Sequence, residues 1–166
     1  MIEFKLGGRR LRLNIDGVLE TRAIWGGRET KKETWNVVTF CVNEDGYLYC
    51  CMMVDGVKKI ILKHRLLYLA RNPEWDIFNS SQNNHIDHIN RDRIDNTSGN
   101  LRVVTCQQNS FNRNTKGYSW TPKRKRWKAE ITVNGKSTFI GYFVNEEDAA
   151  AAYLEAKARL HIIPVS

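Results

Sequence analysis

One polar segment, from His85 to Asn114, constrains this chain more than any other part of its sequence. Asp87 and His88 stand side by side near its start, and Asn109 stands near its end. Asparagine-centred turns and a short apolar run, Leu101 to Val104, lie between them. Side chains of these types suit one task, in which a divalent cation is held against a phosphate and a neutral imidazole is aimed at a water molecule.

The same segment predicts a strand, a loop, a second strand and a helix, in that order. The predicted elements are a strand at 86–89, a polar turn at 90–96, a helical turn through Asn100, a strand at 101–105 and a helix from 106 to about 112. Thr97 or Asn96 is expected to cap the helical turn, and Thr105 is a favourable N-cap for the helix, because their side-chain oxygens can accept from backbone N–H groups.

Phosphodiester hydrolysis needs a nucleophilic water, a Lewis acid on the phosphate and relief of the charge on the leaving 3′ oxygen. His88 is the candidate general base, because a neutral imidazole can accept a proton at pH 7. Asp87 and the side-chain carbonyl of Asn109 are hard oxygen ligands, which suit Mg²⁺ or Mn²⁺ better than zinc. Neighbours in a regular strand point to opposite faces, so the strand must end or twist at His88 if both groups serve one site.

These residues resemble the HNH nuclease motif in the form found in phage and intron homing endonucleases. Asn100 stands twelve positions after His88, and Asn109 stands nine positions after Asn100. The resemblance implies that His88 is the base, that Asp87 and Asn109 bind the metal, and that Asn100 ties the loop to the helix by hydrogen bonds. Asn109 occupies a position where the name-giving pattern has His, which leaves the metal preference open.

Two further histidines lie close to the motif in the sequence. His64 is in a His-Arg-Leu segment that precedes the motif in the same branch, and we interpret it as a capping or packing residue rather than a catalytic one. His85, two residues before Asp87, could contact the same loop or a phosphate.

The charge of the chain favours a polyanionic partner. Lys and Arg number 26 against 18 Asp and Glu, a net charge of +8, and the pI is about 9.5. Nucleic acid is the commonest such partner, and a solvated basic surface without a partner is the alternative. No C-x-x-C pair occurs, so a structural zinc site of the usual spacing is not expected. Cys41 and Cys50 are expected in core strands.

The start of the chain predicts no signal peptide, because charged residues follow Met1 within a few positions. No apolar run approaches the roughly 20 residues that a membrane helix needs. We therefore expect no membrane partner and a cytoplasmic location, in the host cell if the gene belongs to a phage.

Short β-strands are predicted over residues 1–62, because β-branched and aromatic runs alternate with turn signals. The predicted strands are 10–13, 37–42, 47–54 and 57–62. Asp55-Gly56, between two apolar runs, is a strong hairpin signal, and 43–46 is a second turn. A helix is predicted at 64–71, ended by Asn72-Pro73.

The C-terminal part has its own pattern. Residues 125–133 alternate, with Trp127, Ala129, Ile131 and Val133 on one face and Arg126, Lys128, Glu130 and Thr132 on the other. Asn134-Gly135 predicts a type I′ turn into a strand at 138–143. Asn145 is expected to cap a helix. Its apolar face is predicted to hold Ala149, Ala150, Ala152, Tyr153, Ala156 and Leu160.

Residues 117–161 resemble the ethylene-response-factor (APETALA-type) DNA-binding domain, through GYSWTPKRKRWKAEITVNGKSTFIGYF and the alanine-rich helix. The resemblance implies a three-stranded sheet that packs on a helix and lies in the DNA major groove. The residues predicted to contact DNA are Lys116, Trp120, Lys123, Arg124, Arg126, Lys128 and Thr132. Trp120 either stacks on a sugar or packs under the sheet, and Trp127 is interpreted as a core residue.

The sequence therefore predicts an α+β protein: a ββα-metal (HNH) nuclease core with N-terminal β strands, then a small three-stranded antiparallel sheet plus helix. The predicted domains are 1–112 and 117–162, joined by a linker at 113–116. The expected function is a homing-type DNA endonuclease that uses Mg²⁺ or Mn²⁺, nicks or cuts double-stranded DNA and leaves 5′-phosphate ends.

A monomer is expected, and a transient dimer would allow both strands to be cut. Two alternatives stay open at this point. One is a non-catalytic DNA-binding protein on a decayed nuclease scaffold. The other is a structure-specific or defence-type nuclease with little sequence preference.

Overall fold

The computed structural model describes residues 1–25 and 27–163, and within them it contains fourteen strands and three α-helices. The strands of the N-terminal half are β1 (Ile2–Leu6), β2 (Arg9–Leu13), β3 (Leu19–Arg22), β4 (Ile24–Trp25), β5 (Arg28–Glu29), β6 (Trp35–Val37), β7 (Cys41–Val42), β8 (Leu48–Val54) and β9 (Val57–Leu62). The remaining strands are β10 (His85–His88), β11 (Leu101–Val104), β12 (Tyr118–Thr121), β13 (Arg126–Val133) and β14 (Lys136–Phe143). The helices are α1 (Lys63–Arg71), α2 (Cys106–Phe111) and α3 (Glu146–Leu160), and a 3₁₀ turn spans Ser98–Asn100.

The strands form five small sheets, which confirms the predicted mixed α+β class. Their strand orders are β1-β2-β3-β6, β4-β5, β7-β8-β9, β10-β11 and β12-β13-β14. The motif thus has the predicted order of strand, loop, strand and helix. No helix in the described ranges is long and apolar enough to cross a membrane.

The chain folds into two compact units that interleave along the sequence. The first unit comprises Met1–Ser80 and His88–Arg102, and the second comprises Ser81–Asp87 and the chain from Val103 onward. The division falls inside β10, after Asp87, and inside β11, after Arg102. The predicted domain boundaries stay a prediction.

The first unit has a continuous hydrophobic core under its two larger sheets and α1. Leu11 and Leu66 are fully buried in it, and Val54 and Ile61 join them from β8 and β9. The predicted strand at 57–62 and its Asp55-Gly56 turn are confirmed, since both turn residues have positive φ, at 49° and 79°. Positive φ at both central residues is what a type I′ hairpin turn requires.

Helix α1 begins at Lys63, one residue before the predicted start, and ends at Arg71 as predicted. The N–H of Asn72 donates to the carbonyls of Tyr68 and Leu69 and so closes the last turn. Pro73 follows directly, and the conformation of the residue before a proline disfavours further helix.

The predicted single strand at 37–42 is wrong. Strand β6 ends at Val37 and β7 begins at Cys41, and the two belong to different sheets. Between them the N–H of Val38 donates to the Leu19 carbonyl, and Val38 and Phe40 pack against the core. The apolar pattern reflects this crossing between sheets rather than one continuous strand.

The prediction for the cysteines holds for one of the two. Cys50 is buried in β8, and burial raises the pKa of its thiol to about 11. Cys41 is exposed in the two-residue strand β7, so its predicted core position is wrong.

In the second unit, the capping box of α2 is complete. The Thr105 hydroxyl accepts from the Gln108 N–H at 3.1 Å, and the Gln108 side chain accepts from the Thr105 N–H at 2.9 Å. The predicted N-cap is therefore confirmed, and the helix ends at Phe111. The ring of Phe111 stacks on His161 with ring centroids 3.9 Å apart.

The three-stranded sheet β12-β13-β14 packs on α3, as the pattern predicts. Ile131, Tyr153 and Ala156 form the core between them, with Tyr118, Val133 and Ile140 at its margin. Asn134 and Gly135 both have positive φ, at 53° and 73°, which confirms the predicted turn.

Two details of α3 differ from the prediction. Asn145 occupies the N-cap position without a side-chain cap, because its amide donates to the Asp148 carboxylate at 3.1 Å. Leu160 is exposed, although Ala149, Tyr153 and Ala156 are buried as expected. The apolar face therefore ends one turn before the helix does.

Candidate functional site

The loop that follows β10 is built from consecutive turns in which a side-chain oxygen accepts from the N–H two residues later. Asn90 accepts from Asp92, Asp92 accepts from Ile94, and Asp95 accepts from Thr97, at 2.8, 2.9 and 3.1 Å. Asn and Asp side chains favour such turns because their short side chains reach the nearby backbone. The Thr97 hydroxyl also donates to Asp95, so it does not cap the 3₁₀ turn as predicted.

Asn100 holds the two ends of this loop together. Its Oδ1 accepts from the Asn90 N–H at 2.9 Å, and its Nδ2 donates to the Asn90 side chain at 2.9 Å and the Asp95 carbonyl at 2.7 Å. Its own carbonyl accepts from Ile89. Asn100 is buried. The resemblance implied that Asn100 ties the loop to the helix, but these contacts join the two ends of the loop to each other.

His88 lies at the end of β10, where the sequence required the strand to end. The side chain is only 4% exposed, and its Nε2 is 3.2 Å from Oδ1 of Asn96. Asn96 Nδ2 donates to the Ile94 carbonyl at 2.7 Å, which fixes the amide with its oxygen toward the imidazole. Since Oδ1 only accepts, a hydrogen bond in this contact is donated by Nε2 of His88.

Two more rings pack around His88 in the first unit. His64 lies edge-on to it with centroids 5.0 Å apart, and Tyr47 lies 5.9 Å away. Tyr47 and His64 also contact each other at 5.3 Å. Burial, with smaller contributions from His88 and Arg65, lowers the pKa of His64 to about 3. His64 is therefore a neutral packing residue, which confirms one of the two roles predicted for it.

Sequence reasoning missed Tyr47 and Asn96 as neighbours of His88. Asn96 was selected only as one of two candidate caps of the helical turn, and Tyr47 only as the first residue of a predicted strand. The His-Arg-Leu segment was the one available signal for His64, and it carried no information about which residue the imidazole would contact.

Asp87 belongs to the second unit and is 5% exposed. Nδ2 of Asn112 donates to both of its carboxylate oxygens, at 2.9 and 3.1 Å. Asn109, the predicted metal ligand, is half-buried on α2, one turn before Asn112, and its N–H donates to Thr105. Sequence reasoning missed Asn112. The available signal was its spacing, since it stands three positions after Asn109 and residues three apart share one face of a helix.

The chemistry of the predicted ligands decides which metal ion they would suit. Among the described residues, no group of three or more His, Cys, Asp and Glu side chains is arranged to hold a metal ion. The predicted ligands, the Asp87 carboxylate and the side-chain carbonyl of Asn109, are oxygen groups, and two such ligands suit an ion that keeps waters and phosphate oxygens in its shell, as Mg²⁺ does. The residues present therefore fit Mg²⁺ or Mn²⁺ and do not fit a protein-saturated zinc site.

The exposed face of the C-terminal sheet is basic and aromatic. Strand pairing places Ser119 and Tyr142 opposite Lys128, on the side away from the core residues of β13. The Arg124 guanidinium lies 4.8 Å from the Tyr142 ring, and Phe139 lies beside Tyr142 with centroids 5.0 Å apart. Phe139 and Tyr142 are 53% and 40% exposed, and the sequence analysis did not select either of them.

The other residues predicted to contact DNA lie partly on the exposed face of the sheet and partly outside it. Arg126, Lys128 and Thr132 share the exposed face, and Lys123 is exposed in the preceding turn. Lys128 is paired with Glu130 at 2.6 Å, and this hydrogen bond lowers the Glu130 pKa.

Trp120 and Lys116 lie apart from that group. Trp120 pairs directly with Trp127, so it is on the opposite face from Lys128. The rings of Trp120 and Trp127 contact each other edge-on at 5.6 Å, and Trp127 is half-buried. Lys116 forms an ion pair with Glu146 at 3.3 Å.

Comparison with known proteins finds partial similarity to a viral nuclease. The chain is 36% identical over 72 residues to a protein named Uncharacterized HNH endonuclease L560 of Acanthamoeba polyphaga mimivirus, a match that covers 42% of this chain and 38% of that protein. It is also 33% identical over 60 residues to Protein 3.8 of Escherichia phage T7, covering 31% of this chain and 50% of that protein.

No family model and no solved structure matches the chain. The matched regions cover half or less of both relatives, and neither comparison supports the resemblance of the C-terminal part to the ethylene-response-factor domain. The weak homology to an HNH endonuclease supports a nuclease of the HNH type for this chain.

Proposed function

We propose that this protein is a metal-dependent DNA endonuclease in which His88 deprotonates the attacking water. The observation that carries the proposal is the hydrogen bond between His88 Nε2 and Asn96 Oδ1, because it holds a buried imidazole in one orientation. A general base must be held in one orientation if it is to accept the proton of the attacking water. The partial similarity to an HNH endonuclease supports the same assignment.

The base is held on three sides in the first unit. Asn96 fixes the rotation of the ring, and His64 and Tyr47 pack against it. His64 stays neutral at working pH because burial lowers its pKa to about 3, so it adds no positive charge beside a base that must gain a proton. Asn100 acts through the loop, by closing the segment that carries Asn96.

Asp87 and Asn109 would hold Mg²⁺ or Mn²⁺, and Asp87 directly precedes His88 in the chain. The bound ion would supply Lewis-acid activation of the phosphate and stabilise charge on the leaving 3′ oxygen. Asn112 orients the Asp87 carboxylate through its two hydrogen bonds. Residues that orient a ligand in this way typically change metal affinity about 10- to 100-fold when removed.

The basic face of the C-terminal sheet is the proposed surface for duplex DNA. Arg124, Arg126 and Lys128 lie on that face or at its edge, and a net charge of +8 favours a polyanion. Lys123 and Lys116 would add phosphate contacts, and Thr132 a polar contact. Trp120 lies on the opposite face of the sheet, and we retain it only as a half-exposed residue of the edge strand β12 that would contact DNA from that edge. A twisted antiparallel ribbon fits the major groove.

The finer features of the proposal concern the biological context. We propose a homing-type enzyme of the phage kind, which acts on an extended site and leaves 5′-phosphate ends. Each chain carries one proposed active site, which favours nicking of one DNA strand by a monomer. A transient dimer would cut both strands.

The test is cleavage of supercoiled plasmid by the purified protein with Mg²⁺, Mn²⁺ or EDTA. We expect metal-dependent open-circle product, and a loss of about 10²- to 10⁴-fold for His88→Ala, the usual contribution of a general base. His161→Gln is the matched control, because it replaces another histidine that contacts aromatic and backbone groups in the second unit. Linear product would keep the assignment of His88 and indicate dimeric cutting.

The outcome that contradicts the proposal is the absence of cleavage on any DNA, with tight and salt-sensitive binding retained. That result would favour a DNA-binding protein on a nuclease scaffold. Footprinting then separates the two nuclease types: a homing enzyme protects one extended site, whereas a structure-specific nuclease follows the shape of the DNA.

A further inference from the structure

A single exposed arginine is anchored on the ring cluster that contains His88. Arg93 lies in the loop after β10, and its guanidinium carbon is 4.8 Å from the centroid of the Tyr47 ring. Its Nη1 donates to the carbonyl of Asp45, in the turn before β8. The same Tyr47 ring contacts His64 and His88. The guanidinium is thus held at a fixed place, although the side chain is exposed.

We infer that Arg93 binds a backbone phosphate of the DNA strand that His88 would cut, an inference that rests on the proposed endonuclease function. A guanidinium carries five N–H donors in one plane, and one of its nitrogens is used on Asp45. The contact with Tyr47 holds the guanidinium in place, and N–H donors in one plane are the groups that recognise phosphate oxygens.

The guanidinium lies close enough to His88 for both groups to contact the same short stretch of one DNA strand. Its carbon lies 4.8 Å from the Tyr47 centroid, which is 5.9 Å from the His88 centroid, so the two groups are at most about 11 Å apart. Successive phosphates of one strand rise about 3.4 Å along the duplex axis, so a phosphate within a few nucleotides of the cut lies in reach.

The acidic neighbours of Arg93 are engaged elsewhere. Asp95 accepts from Thr97 and, at 2.7 Å, from the Asn90 amide, and these contacts lower its pKa. Asp92 accepts from the Ile94 N–H at 2.9 Å. Neutral donors of the loop thus bind these two carboxylates, and Arg93 contacts Tyr47 instead of pairing with them, an arrangement suited to an anionic partner.

Arg93→Gln is the central test variant, because an amide can still donate to the Asp45 carbonyl while the positive charge is lost. Arg93→Ala removes both functions, and Arg93→Lys keeps the charge without the planar donors. Arg91→Ala is the matched control: it removes an equal charge from the same loop, two residues away, at a position whose N–H alone bonds the His88 carbonyl.

Two measurements are made on each variant. The first is single-turnover cleavage with protein in excess, for which we expect a loss of about 10- to 100-fold in Arg93→Gln and Arg93→Ala, and a smaller loss in Arg93→Lys. The second is the salt dependence of DNA binding in EDTA, for which loss of one phosphate contact should reduce the slope of log K against log salt by about 0.9. Arg91→Ala should keep both values.

Wild-type rates and slopes in Arg93→Gln would overturn the inference, and so would equal losses in Arg91→Ala and Arg93→Gln, since these would show a diffuse effect of loop charge. Melting temperatures near that of the wild type establish that the variants fold. If the wild type cleaves no DNA, the proposed function fails, but the slope measurement still decides whether Arg93 contacts a phosphate.

Discussion

Acid should destabilise the first unit through His64, and the structure gives the size of the effect. Burial lowers the pKa of this imidazole from 6.5 to about 3. Between these two pH values the imidazole is neutral in the folded protein and protonated in the unfolded chain. The stabilisation is complete above pH 6.5 and is lost progressively as the pH falls toward 3. Linkage with these two values gives a loss of about 2 kcal/mol between pH 8 and pH 5.

The perturbation that isolates this contribution is His64→Phe. A phenyl ring of similar size keeps the packing against His88 and Tyr47 but has no charged form. We expect urea unfolding at pH 8 and pH 5 to show the wild type losing about 2 kcal/mol more than the variant over this range. All other titrating groups are common to the two proteins, so the difference between the two pH profiles reports His64.

Parallel pH profiles for the wild type and His64→Phe would refute the reasoning, because they would mean that His64 titrates alike in the folded and unfolded states. A variant that loses more stability in acid than the wild type would also contradict it. A uniform offset between the profiles reports only the packing of the new ring and leaves the pH difference to decide.

Three further predictions concern stability. Asn100→Ala should lower the free energy of unfolding by about 2–4 kcal/mol in urea, because it removes three hydrogen bonds of a buried side chain; a loss below 1 kcal/mol would show that water replaces them. Thr105→Ala should cost about 1 kcal/mol by the same measurement, since it removes the cap of α2, and no change would mean that the capping box is not formed in solution. Gly117→Ala should lower the stability by about 1–3 kcal/mol, because a Cβ there would lie 1.9 Å from the Tyr153 ring, whereas Gly99→Ala meets nothing within 4 Å and serves as the control; equal thermal shifts in the two variants would contradict this account.

Local signals predicted those elements whose ends are set by neighbouring residues. The Asp55-Gly56 and Asn134-Gly135 turns, the end of α1 before Pro73 and the Thr105 cap all depend on residues within a few positions of one another. The strand at 37–42 failed for the opposite reason. The residues that divide it respond to Leu19 and to the core, which the local pattern does not contain.

The candidate site shows the same difference between local and distant information. Asp87, His88 and Asn100 could be selected because their order in the sequence is itself the motif. Tyr47 and His64 could not be placed beside His88, since 41 and 24 positions separate them from it and only the fold brings the rings together. Arg93 depends on Tyr47, so its anchoring was equally hidden in the sequence.

The asparagines of the loop act differently, although in the sequence they form one polar, turn-prone run. Asn90 and Asn100 bond each other through their side chains and hold the ends of the loop, whereas Asn96 turns its carbonyl oxygen toward His88. A turn needs only short polar side chains, but a buried imidazole needs an acceptor at one place. Asn96 meets that need because its amide nitrogen is bound to Ile94, so its oxygen cannot rotate away without losing that bond. Asn90 and Asn100 therefore affect His88 through the stability of the loop, and Asn96 contacts the imidazole directly.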